Sequence, residues 1–189
     1  MRWLTLYARS RQAPASAAVI LLVVLATWAL DDGRGPMDLG TTVLVLTMSV
    51  AAGSVGLGGQ DAALERTAAI RWMPRRAAHV LVIGAFAGAA LLALRLMGVE
   101  TSPTGFVVRD AAGLAGLAAL GAALFGAQLA WILPTGWLAV TVLSPPPPGT
   151  LGKVVHWMTF TPATTASTGT AWALLVVGTV LYALAGPRR

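Results

Sequence analysis

The residues best suited to chemistry with a partner are concentrated in Gln60–Val80, QDAALERTAAIRWMPRRAAHV, the only long charged segment between apolar runs. Asp61 is a good N-cap for a short helix running to about Trp72. Glu65 falls near the positive end of that helix dipole, where a carboxylate is favoured. Leu64, Ala68 and Arg71 recur along it at helical spacing. Pro74 is expected to break the chain there, because a proline removes a backbone donor. The product is a stub of helix lying along a membrane, with Arg66, Arg71, Arg75 and Arg76 displayed around it. Such a surface can pair with carboxylates of a soluble partner, and Ile70 or Trp72 supplies an apolar anchor. The blander reading of the same residues is a basic loop that only sets orientation.

Elsewhere the chemistry is sparse. The chain has no cysteine, which excludes disulfides, thiol catalysis and Cys-ligated metals. His79 and His156 fall on opposite sides of the expected topology and cannot share a metal. Asp31-Asp32 is the only acidic pair, with no histidine or further carboxylate beside it for a metal site. Arg95, Glu100 and the Arg109-Asp110 pair gather toward one side, and snorkelling or a structural ion pair accounts for them. No GxxxxGK[ST] phosphate loop occurs, so the chain does not bind and hydrolyse ATP by that route. No enzyme, cofactor or metal is expected in this chain. A proton-coupled exporter would need an embedded carboxylate, and the nearest candidate, Asp110, is expected only at a helix start.

Of the 189 residues, 57% are hydrophobic and 11% charged, against about one quarter charged in soluble domains. The fold expected is an all-α integral membrane protein, one transmembrane domain over residues 1–189. Six spans are expected, at about 13–30, 39–59, 77–97, 106–125, 129–143 and 170–185. The first apolar run is preceded by Arg9 and Arg11 but lacks a small-residue cleavage site, so it reads as a retained anchor. Residues 1–12 hold Trp3, Leu4, Leu6 and Tyr7 among arginines, either an interfacial helix or a basic tail.

The second span carries Thr41, Thr42, Thr47, Ser49 and Ser54. Small and hydroxylated residues favour close helix packing, and the same hydroxyls could line a translocation path. Gly84-x-x-x-Gly88 places two glycines on one face of the third span. The fourth has an alanine every four residues from Ala111 to Ala127. The long apolar stretch 106–143 divides near Phe125–Gln128, and Pro134 either kinks the fifth span or marks its start. Pro145–Pro148 end that span. The segment that follows is too polar to span and too apolar for a loop, suggesting one or two short helices dipping into the outer leaflet and broken at Pro162.

With six spans and both termini inside, the inner side carries a net charge of +7 and the outer side −1, which together make the formal +6. This is the positive-inside signature, and it explains the basic balance without nucleic acid. Arginine outnumbers lysine twelve to one, and alanine and glycine abound, a composition suggesting a bacterial genome.

Six spans, a basic amphipathic N-terminus, the pattern Glu65-Arg66-Thr67…Pro74-Arg75-Arg76 between the second and third spans, and an apolar segment before the last span resemble the ABC-type-2 exporter permeases. The resemblance implies a coupling helix at Asp61, Glu65, Arg66, Arg71, Trp72, Arg75 and Arg76 that docks into a separate ATPase subunit, which holds ATP and Mg. It further implies a second permease chain, identical or related, a bacterial cell membrane with both termini cytoplasmic, and export of a lipid, peptide or hydrophobic natural product. The contrasting expectation is a non-transporting accessory or immunity-type membrane protein that binds a partner or sequesters an antibiotic.

Overall fold

The computed structural model describes residues 13–31, 33, 35–58, 72–160 and 164–188, and these are helical with connecting turns. Among the described residues seven α-helices follow in order: α1 Ala13–Leu30, α2 Leu39–Ser54, α3 Trp72–Ala93, α4 Thr104–Phe125, α5 Ile132–Leu143, α6 Thr150–Val155 and α7 Thr165–Ala185. Short 3-10 turns extend α2 through Leu57 and α3 through Met97, and a third, Ala127–Leu129, leads into α5.

Four of these units are long and apolar enough to cross a membrane: Leu39–Leu57, Trp72–Met97, Thr104–Phe125 and Thr165–Ala185. Two further apolar helices, Pro14–Leu30 and Ala127–Leu143, are shorter. Exposed Leu22, Leu81, Val142 and Val176 coat the sides of the bundle, a surface that water would not tolerate at this density. The molecule has the build of an integral membrane protein.

The boundaries have local causes. The Asp38 side chain accepts a hydrogen bond from the Thr41 backbone N–H at 3.0 Å and so caps α2. Gly126, at φ +94°, ends α4 and divides the long apolar stretch into two helices, because a left-handed residue cannot continue a right-handed helix. Pro134 stands in the first turn of α5 and marks its start rather than kinking it. The described part of α3 already includes Trp72 and Met73, so Pro74 lies within the helix and not ahead of it. That corrects the expectation from sequence that Pro74 breaks the chain ahead of the third span.

α4 is the axis. Its faces are buried against α2, α3, α5 and α7, and Phe106, Leu114, Leu117 and Ala118 are each at most 1% exposed. Its most extensive contact is with α7, and it is a backbone contact. A Cβ on Gly178 would stand 2.0 Å from the Gly116 carbonyl oxygen, and one on Gly116 would stand 2.3 Å from that of Leu174. Gly84 and Gly88 of α3 face Ala111 and Ala115 of α4 in the same manner, with hypothetical Cβ contacts of 3.1–3.4 Å to those alanine methyls. The small residues thus let three helices approach closely and gain dispersion contacts where burial in lipid supplies little drive.

The segment after the proline run folds back on the bundle. α6 packs Gly152 on the Pro147 carbonyl, and the Trp137 indole N–H donates to the Val155 carbonyl at 2.8 Å. Trp157 and Met158 are fully buried, and the Trp157 ring covers Gly113 of α4. Trp157 and Met158 therefore enter the protein interior, while Leu151 stays exposed. Pro162 lies outside the described residues.

Candidate functional site

The helices run in both directions through the bundle, α4 and α7 in the same one, and its two ends are chemically distinct. At one, here the basic end, α2 finishes, α3 begins and the C-terminal tail returns. Arg75 and Arg76 follow Pro74 in α3. The Arg75 guanidinium lies 5.8 Å from the Trp72 ring centroid, a cation–π arrangement. Arg76 points across to the last turn of α7, where it donates to the Ala183 carbonyl at 3.5 Å and lies against Gly186. Arginine suits that place, because the last carbonyls of a helix lack partners and carry partial negative charge.

Two further bonds close this end. The Tyr182 hydroxyl donates to the Leu57 carbonyl at 2.5 Å. The Arg188 backbone N–H donates to the Ala122 carbonyl at 3.1 Å, and its side chain reaches the Leu124 carbonyl at 3.3 Å. Both terminal carbonyl sets, those of α4 and α7, are thus met by arginines. Of the coupling residues expected from sequence, Trp72, Arg75 and Arg76 are brought together here. Asp61, Glu65, Arg66 and Arg71 lie outside the described residues.

Among the hydroxyls of α2, Thr42, Thr47, Ser49 and Ser54 are each at most 1% exposed. Thr42 shares a 2.7 Å hydrogen bond with Ser102, Thr47 donates to the Val43 carbonyl at 2.8 Å, and Ser54 to the Ala51 carbonyl at 2.7 Å. These four are turned into helix contacts. Thr41 alone opens on a groove, between α1 and α2 at the opposite end.

That opposite, acidic end carries Asp31, Asp38 and Glu100 among its described carboxylates. Arg95 is held by Thr101 Oγ1 at 2.6 Å, Thr104 Oγ1 at 2.8 Å and the Ser102 carbonyl at 2.6 Å, rather than by Glu100. The Asp38 carboxyl is held below its ordinary pKa, first by the Thr41 hydroxyl and then by the Thr41 backbone N–H.

Two helical turns below the same end lies an ion pair. Arg109 and Asp110 are 2% and 0% exposed, with Arg109 Nε donating to Asp110 Oδ1 at 2.7 Å. Arg109 further donates to the Phe160 carbonyl at 2.7 Å and lies 4.8 Å from the Phe106 ring centroid. The expectation that Asp110 sits only at a helix start is corrected. α4 starts at Thr104, six residues earlier, which puts the carboxyl about 9 Å into the helix at 1.5 Å per residue. Its charge is compensated on the spot by its chain neighbour. The sequence contains the pair openly, but nothing in it reveals that the 150–160 segment folds back to place the Phe160 carbonyl on Arg109. Among the described residues, no group of three or more acidic or histidine side chains is placed to hold a metal ion.

Comparison of the chain with family models, with characterised proteins and with solved structures gave no match.

Proposed function

We propose that this chain is the membrane-spanning permease subunit of a bacterial ABC-type-2 exporter. It crosses the membrane six times, with both termini and the basic end at the cytoplasmic face. The segment 59–71 and the adjoining part of α3 dock on a separate ATPase subunit that carries ATP and Mg, and a second permease chain completes the transporter. The substrate is hydrophobic or amphipathic, of the lipid, peptide or natural-product kind. The observation that carries this reading is the pairing of Arg75 with Trp72 in the first described residues of α3, directly after the arginine-bearing segment and at the end where the positive-inside rule places basic residues. An arginine with an aromatic neighbour is the composition that dominates docking energetics.

The test is purification in mild detergent with mass spectrometry of bound chains, followed by reconstitution. Glu65→Ala or Arg71→Glu is expected to lower substrate-stimulated ATP hydrolysis about fivefold, the effect of ~1 kcal/mol at one docking contact, with membrane insertion intact. No ATPase subunit in the purified material would sink the proposal. One observation favours the alternative, a non-transporting accessory or immunity-type protein: four of the five α2 hydroxyls are committed to internal packing. The same purification separates the two.

A further inference from the structure

The groove between α1 and α2 at the acidic end has a volume of about 830 Å³ and is open along one side. Its walls are apolar, with Val23 from α1 and Leu44 and Met48 from α2. Its mouth is not: Asp31 and Asp38 stand there from the two helices, one on each side. Measured along α2, from Asp38 to Met48 is ten residues, about 15 Å at 1.5 Å per residue. That is half of a hydrocarbon core of about 30 Å, the depth of one leaflet.

The charge at the mouth is one-sided. Asp31 directly follows α1, whose last turn contains no basic residue. Its final carbonyls therefore add the negative pole of a helix to the carboxylate. Asp38 is fixed in orientation by its cap on Thr41, yet a carboxylate has about four acceptor positions, so capping leaves room for a further donor. Along the whole 31–38 connection the chain carries Asp31, Asp32 and Asp38 against Arg34. A head group that donates hydrogen bonds and bears positive charge complements this mouth; an anionic one is repelled.

We propose that this groove binds a single-chain cationic amphiphile, an amine with an apolar tail, its ammonium group between Asp31 and Asp38 and its tail along Val23, Leu44 and Met48. The proposal deepens the export reading by naming the chemistry of the substrate. Binding is measured without any ATPase subunit, so either idea can fail while the other stands.

The experiment uses the full chain in phosphatidylcholine nanodiscs with radiolabelled dodecylamine as the probe. Saturable binding above that of empty nanodiscs is expected, with dodecyl sulfate binding more weakly. The double variant Asp31→Asn/Asp38→Asn should weaken dodecylamine binding by about three- to tenfold, as two partly exposed charge contacts would. Asparagine is as good an N-cap as aspartate, and an unchanged unfolding temperature verifies that α2 survives. Glu100→Gln removes a carboxylate from the same end but outside the groove and is expected to leave binding unchanged. Equal losses in Glu100→Gln and the double variant, no loss in either, or equal affinity for dodecyl sulfate would overturn the proposal. So would abolition of binding when phosphatidylethanolamine replaces phosphatidylcholine, which would assign the groove to a resident lipid.

Discussion

Two carboxylates, Asp110 and Asp38, show how much position decides. Asp110 is fully buried and depends on Arg109 at 2.7 Å. Removing one member leaves an uncompensated charge in the interior, so Arg109→Met or Asp110→Leu alone is expected to cost about 3–5 kcal/mol. The double substitution should fall well short of the sum, and a double-mutant cycle on equilibrium unfolding in mixed micelles measures the difference. Asp38 is exposed and works through its cap. Its folded pKa lies below the ordinary value because Thr41 stabilises the charged form. Its contribution is therefore fully present above about pH 5 and is lost as pH falls through and below the ordinary value of about 3.9. Asp38→Ala should cost about 1 kcal/mol at neutral pH and flatten the acid side of the unfolding profile.

Among the elements, α4 and α7 make the contact least tolerant of change. Gly178→Ala would drive a methyl into the Gly116 carbonyl, where the Cβ distance is 2.0 Å. Separation of the helices should cost about 1–3 kcal/mol, the usual range for overpacking. Gly136→Ala, in α5 with nothing within 4 Å, should instead be neutral or stabilising by up to about 1 kcal/mol, since glycine is the poorer helix former. Thermal unfolding of the two variants side by side checks both signs. The small-residue spacing of Gly84 and Gly88 was readable from sequence as a packing face, and the end of α1 was visible as an apolar run stopping at Asp31. The break after Phe125 was visible as well, because an apolar run that long must turn. The helical state of Trp72 and Met73 was not, since a proline taken into a helix and a proline ending one look alike without the hydrogen-bond register. Nor was the fate of the α2 hydroxyls. Whether Thr42 faces Ser102 or a path depends on helix rotation, and a serine- and threonine-rich helix serves either arrangement.

For the whole molecule, the four long and two shorter apolar helices make the number of crossings a matter for labelling from each side. The absence of native cysteine makes the chain its own background for single-cysteine labelling. If all six apolar helices cross, cysteines at Arg75 and Arg188 should react only from the cytoplasmic side, and those at Glu100 and Pro147 only from the outside. A four-crossing arrangement, in which residues 14–30 and 127–143 lie otherwise, would still separate Arg75 from Glu100. It would also bring a cysteine at Pro147 to a different reactivity, and that position decides the matter. The acid-base asymmetry of the two ends was legible beforehand, because charge placement in connecting segments is a property of sequence. The groove at the acidic end was not: Asp31 and Asp38 read as turn residues until α1 and α2 are laid side by side.

The return of Arg188 to the end of α4 bears on anyone handling this protein. Its backbone N–H and guanidinium fasten this stretch to the carbonyls of Ala122 and Leu124, so a bulky group introduced beside Arg188 would pull on that latch and loosen the floor beneath α4 and α7. A label set apart from it on a generous spacer would spare it.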